Sequence, residues 1–117
     1  MRHRKTGKKF GRVRNQRRAL MRGLGASFFL SGKIVTTEAK AKALRPYAER
    51  LITRARRGTL ADRRMLASVL PRSSAAACLR VATDMRGYRG GYTRITKFGI
   101  RKSDAARMAV IELVSRT

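Results

Sequence analysis

Cations dominate the side chains that could do chemistry in this sequence. Thirty of its 117 residues are Lys or Arg against six Asp or Glu, a formal charge of +24. The first 37 residues hold eleven of those cations and no acid; ten fall in the opening 22, and the first carboxylate is Glu38. A run of like charge repels itself and settles only against a dense source of negative charge. The chemistry open to it is charge-assisted hydrogen bonding to oxyanions, with Arg able to fork onto a phosphate. Self-repulsion on this scale works against a compact state. A hydrophobic content of 43% nevertheless argues for a folded core. A partner that binds only the folded form then adds to its stability. Nucleic acid is the leading polyanion, and an anionic membrane surface is second.

Other chemistry has little to work with. Cys78 is the sole cysteine and His3 the sole histidine, which excludes an internal disulfide and a multi-residue Cys/His zinc site. A lone thiol fits a reducing compartment. The acids Glu38, Glu49, Asp62, Asp84, Asp104 and Glu112 are spread singly, with no nucleophile–base pairing beside them. Neither a phosphate-binding loop ending in Gly-Lys-Ser/Thr nor GxGxxG after a strand occurs. The expectation is a protein without cofactor, small-molecule substrate or catalytic activity. No apolar stretch approaches the roughly 20 residues of a membrane span, and charges precede any apolar run that could serve as a secretory signal. An organelle transit peptide would also be Arg-rich and acid-poor. This segment, however, is poor in Ser, heavy in Lys and Gly, and runs straight into a helical pattern.

The cations must be positioned by a small body, since 117 residues suffice for one domain with a modest core. Residues 1–13 lack apolar periodicity, carry Gly7 and Gly11, and read as an extended basic arm, leaving 14–117 as a single domain. From about Asn15, Leu20, Leu24 and Phe28 recur at helical spacing with Met21 alongside, while Arg14, Arg18 and Arg22 stripe another face. Arg17 falls on the apolar side of that wheel. Ser31-Gly32 ends the helix and Lys33–Thr36 favours a strand. Thr37 suits an N-cap, with Glu38 at the positive end of the next helix. That helix keeps spacing through Leu44, Ala48, Leu51, Ile52 and Ala55, with Arg50, Arg54 and Arg57 outside. Pro46 lies within it, so one helix kinked near Pro46 is expected, with two short helices, Pro46 opening the second, as the alternative.

Gly58 breaks the chain, and Thr59–Asp62 resembles a capping box. Leu66, Val69 and Leu70 form the edge of a third helix stopped by Pro71. Ser73 or Ser74 is a candidate cap for a fourth, Ala75 to about Met85, with Cys78, Leu79, Ala82 and Met85 inward. Two strands follow the glycine loop, at about 92–98 and 107–114. The second is apolar on both faces and reads as interior, the first as an edge. The order α-β-α-α-α-β-β after the arm fits an α+β fold, a two-layer α/β arrangement with helices over a three-stranded sheet.

Candidate contacts to a polyanion are Arg2, His3, Arg4, Lys5, Lys8, Lys9 and Arg12 in the arm. Arg14, Arg18 and Arg22 follow on the first helix, and Arg50 and Arg54 on the second. In Gly90-Gly91-Tyr92-Thr93-Arg94 the glycines permit close backbone approach, which adds Arg89 and Arg94. Tyr92 has two roles open to it, stacking on a base or packing in the core, and the core role is the stronger. With too few acids to neutralise them, the arginine stripes favour phosphate contact over simple solvation. An arm of this kind suits a folded RNA, since it can thread between helices and order as it binds.

Several segments together resemble a known family. They are Met1-Arg2-His3-Arg4-Lys5, Ile34–Thr37 followed by Ala39-Lys40-Ala41, Leu51-Ile52, Gly90–Arg94, and Met108-Ala109 running into Ile111-Glu112-Leu113. In order and spacing they are similar to the family of the seventeenth protein of the bacterial large ribosomal subunit, over nearly the whole chain. The resemblance implies binding to large-subunit ribosomal RNA beside neighbouring large-subunit proteins on the solvent side around the nascent-chain exit. It also implies the two-layer α/β fold, no catalysis, and a ribosome-bound place in the cytoplasm or in an organelle. The alternative is a DNA-binding, nucleoid-type protein. A membrane-active protein would need a strongly amphipathic helix, which Arg17, Gly23 and Gly25 weaken.

Overall fold

Each helix starts and stops where local chemistry dictates. The computed structural model describes residues 8–85 and 87–114. Helix α1 (Arg14–Ser31) follows Val13, which offers no side-chain cap, and closes at Gly32, whose φ of 81° lets its N–H reach the Phe28 carbonyl at 2.8 Å. Strand β1 (Lys33–Thr37) leads into α2 (Glu38–Arg57). There the Thr37 hydroxyl oxygen accepts the Lys40 N–H at 3.3 Å. Glu38 faces the positive end of this helix dipole, while Arg54, Arg56 and Arg57 complement the negative end. In α3 (Leu60–Val69) the Thr59 hydroxyl accepts the Asp62 N–H at 3.2 Å and donates to the Asp62 carboxylate at 2.7 Å. The expected capping box is thus closed through the threonine hydroxyl. Pro71 ends α3 by forcing Leu70 into extended backbone (φ −124°, ψ 147°).

Helix α4 (Arg72–Asp84) departs from expectation. Neither Ser73 nor Ser74 caps it: the helix begins directly after Pro71, and no side chain caps its N-terminus. Pro71 itself occupies the N-cap position and has no side-chain acceptor to offer the first N–H groups. Ser74 is fully buried instead, and its hydroxyl donates to the Ala26 carbonyl of α1 at 3.3 Å. Helix α2 is one helix through Pro46, not two. Pro46 lies on the exposed side, where the Lys42 carbonyl that loses its i+4 donor is the least costly to leave to solvent.

Strands β2 (Thr93–Ile100) and β3 (Arg107–Leu113) complete a three-stranded antiparallel sheet of order β1-β3-β2. The strand apolar on both faces is therefore central, with Ile111 opposite Ile34 on one side and Ile95 on the other. A bulge between Lys97 and Gly99 shifts the outer register.

Helix α2 lies on the sheet, touching all three strands and the other helices. Its inward face is Ala41, Leu44, Ala48, Leu51, Ile52 and Ala55, all buried. The alanines recur every seven residues, so neighbours approach closely along one stripe. Phe28 and Phe29 enter from α1 with ring centroids 5.5 Å apart. Only Phe28 was apparent from the spacing; Leu20, Met21 and Leu24 are partly buried, and Phe29 and Gly25 supply the rest of the face.

Gly25 is buried because Tyr47 of α2 packs on it: a Cβ there would meet Tyr47 Cε1 at 3.0 Å. At Gly23 a Cβ would meet nothing within 4 Å. Gly23→Ala should therefore raise stability by up to about 1 kcal/mol through helix propensity alone. Gly25→Val should lower it by about 1–3 kcal/mol through overpacking. Urea unfolding followed by circular dichroism checks both; equal effects at the two positions would contradict this packing.

Candidate nucleic-acid interface

The first turns of α1 and the middle of α2 face each other across a groove of about 890 Å³. One wall carries Arg17, Arg18, Met21 and Arg22, and the other Lys42, Ala43, Pro46, Tyr47 and Arg50. Lys8 and Phe10 of the arm and Val69 of α3 complete the lining. Six cations and no carboxylate line this groove among the described residues. The arm reaches it through a turn in which the Arg12 N–H bonds the Lys9 carbonyl at 3.1 Å, with Arg12 Nη1 on the Phe10 carbonyl at 2.8 Å. Burial pushes the Tyr47 phenol up, against the opposing pull of Arg22 and Arg50, so it stays a hydrogen-bond donor. Its oxygen is buried without a hydrogen-bond partner among the described residues.

The groove gathers Lys8, Arg18, Arg22 and Arg50 from the residues expected to contact a polyanion. It adds Arg17 and Lys42, which were not expected. The off-stripe position of Arg17 is explained by this: it is half-buried in the groove wall. Lys42 was legible as the start of an i, i+4, i+8 series with Pro46 and Arg50. Lys9, Arg12 and Arg14 lie outside the lining, and Lys9 and Arg14 are exposed. Arg2, His3, Arg4 and Lys5 fall outside the described residues.

The remaining candidates sit elsewhere. Arg54 lies 3.7 Å from Asp62, whose carboxylate also takes Arg57 Nη2 at 3.0 Å. Arg94 Nε donates across the sheet to Glu112 at 3.1 Å with the guanidinium mostly exposed. Arg89 is exposed beside Gly90 and Gly91, whose φ values of 141° and 65° make the sharp turn. Of the two roles open to Tyr92, contact or core, the structure has the core one, and Tyr92 drops out of the candidate contacts: it is 1% exposed, which leaves no ring face for a base. Its hydroxyl accepts from Arg56 Nη1 at 2.6 Å, and the same nitrogen bonds the Tyr88 carbonyl. Arg56, not singled out from the sequence, thereby ties the glycine loop to the end of α2. Its polar tip explains why a tyrosine is tolerated in this core.

No group of three or more His, Cys, Asp or Glu side chains able to hold a metal occurs among the described residues. Burial pushes the Cys78 thiol up to about 12, which leaves it a poor nucleophile. No described helix is long and apolar enough to cross a membrane.

Residues 20–114 match the sequence model of the family described as Ribosomal protein L17. The chain belongs to the ribosomal protein L17 family. It is similar to proteins named large ribosomal subunit protein bL17 in several bacteria. One from Hydrogenobaculum is 50% identical over 97% of this chain and 99% of the relative. Another, from Gemmatimonas aurantiaca, is 48% identical over 97% and 98% respectively. The one from Zymomonas mobilis is 49% identical over 99% and 84%. L17 proteins are structural proteins and not enzymes, in keeping with a fold whose carboxylates are held singly.

Three of those carboxylates in this L17 protein are held ionised to lower pH than usual. The Thr59 hydroxyl, then Arg57 and Arg54, hold Asp62 below the usual carboxylate range. Lys42, by hydrogen bond and charge, and Lys97 do the same for Glu38. Arg101 and the Ala106 N–H bring Asp104 to about 2. A depressed carboxylate stabilises the fold fully above its unfolded pKa, near 4, and ceases to as pH falls through its folded value. The melting temperature should therefore be nearly flat from pH 7 to 5 and fall from about pH 4 to 2, modestly for each pair because solvent screens it. A melting temperature independent of pH over that lower window would contradict the role given to these pairs.

Proposed function

We propose that this chain is a structural constituent of the large ribosomal subunit that binds and stabilises folded large-subunit ribosomal RNA. Neighbouring large-subunit proteins are its other partners, and the ribosome in the cytoplasm is its place. The observation that carries this reading is the acid-free groove of six cations on a member of the L17 family. The relatives' own name makes them large-subunit proteins.

In this reading residues 1–13 act as a threading arm and 14–117 as the body that aims it. Arg2, His3, Arg4, Lys5, Lys8, Lys9 and Arg12 contact phosphates from the arm, and Arg14, Arg18, Arg22 and Arg50 from the helix faces. Arg54, Arg89 and Arg94 add contacts at the other end of α2 and the sheet. Arg54 and Arg94 keep part of their surface free while paired with Asp62 and Glu112. Phosphate contacts position an RNA-bound protein, so each is worth little alone and their number sets the affinity.

The chain should sediment with large subunits at moderate salt and leave them only as salt rises steeply, because each phosphate contact releases condensed counterions. Deleting residues 1–13 should leave circular dichroism of the body unchanged while shifting release to much lower salt. Free protein at moderate salt, or tighter binding to duplex DNA than to large-subunit RNA, would overturn the reading in favour of a nucleoid-type protein.

A further inference from the structure

The chemistry of the α1–α2 groove goes beyond a generally basic surface. Its cations lie along both walls, whereas Met21, Ala43, Pro46, Val69, Phe10 and the Tyr47 ring give it apolar surface between them. A paired RNA helix presents phosphates on its ridges and keeps its base faces stacked inside, so it would leave that apolar surface uncovered. An unpaired strand offers both parts at once, a charged backbone and free ribose and base faces.

The groove also continues. Lys8 and Lys42 line a second, shallower depression of about 330 Å³ with Thr37, Ala39, Ala106 and Arg107. The one carboxylate there, Glu38, is already paired with Lys42 at 2.8 Å and Lys97 at 3.5 Å, so it does not oppose a phosphate chain.

We infer that the α1–α2 groove holds an unpaired segment of RNA, its phosphates on Arg18, Arg22, Lys42 and Arg50 and its ribose or base faces on the apolar surface between. This rests on the RNA-binding reading above and deepens it. A loop or bulge, not a helix, is the element this protein selects, and the rest of its charge supplies affinity without that selectivity.

The test uses large subunits reconstituted without this protein, to which three full-length chains are added back. They are the unaltered chain, Arg22→Ala/Arg50→Ala, and Arg63→Ala/Arg64→Ala, whose side chains are exposed on α3 away from the groove. The RNA is probed with a 2′-hydroxyl acylating reagent, which reports unpaired nucleotides. The unaltered chain and the α3 variant should protect the same short run of unpaired nucleotides. The groove variant should bind on the order of tenfold more weakly, as expected for lost charge-assisted contacts, and lose that protection even when saturating. No protected run of unpaired nucleotides with the unaltered chain bound, an unchanged footprint in the groove variant, or an equal loss in the α3 variant would each overturn this inference alone. Failure of the unaltered chain to enter the subunit would overturn the ribosomal reading with it.

Discussion

A net charge of +24 on 117 residues is the constraint that the rest of this structure answers to. With so few acids, none is left as surface decoration where its partners are seen. Glu38 joins the start of α2 to Lys97 of β2, and Glu49 accepts the Thr93 hydroxyl at the start of that strand. Asp62 holds the α2–α3 joint, Asp104 the β2–β3 turn through Arg101, and Glu112 pairs across the sheet with Arg94. Each of these five carboxylates links elements or strands, where a local opposite charge also relieves repulsion among nearby cations. Isolated surface pairs contribute little to stability. Their effect here is to leave α1 and the described lining of the α1–α2 groove without acids, so that this groove stays positive.

The fold concentrates apolar burial on one helix to the same end. By carrying the alanine and leucine face that meets both the sheet and the other helices, α2 frees its outer side for Lys42, Pro46 and Arg50. Gly25 lets α1 approach Tyr47 closely, and that approach sets the groove between the two helices. The packing that holds the body together and the geometry that gathers its cations therefore share residues. Arg56 does similar work at the far end, where it fixes Tyr92 and the glycine loop against α2.

Much of this was legible in the linear pattern because the signals are local. Thr37 and Thr59 as caps, Gly32 and Gly58 as left-handed stops, and Pro71 as a break act within four residues. The apolar β3 could only be an interior strand. One misreading and two open alternatives came where two local rules competed or where a partner lay far away. Ser74 has the composition of a cap, but its acceptor, Ala26, is 48 residues away in sequence. Pro46 left a break open beside one continuous helix, and α2 is whole, its inward face buried on both sides of the proline. Tyr92 offered two roles, and a cation 36 residues earlier, Arg56, decided between them.

By itself, the sequence determined the polarity of the partner, the lack of catalytic groups and the order of elements, because charge balance and hydrophobic period do not depend on how elements meet. Tertiary structure decided which cations act together. Arg17 and Arg22 on one helix and Lys42 and Arg50 on the next belong to one groove only because Gly25 and Tyr47 bring those helices into contact. Arg54, one turn beyond Arg50, is held by Asp62 instead. Residues on one helical stripe look equivalent in a list, but the neighbouring element each one faces sets what it can bind.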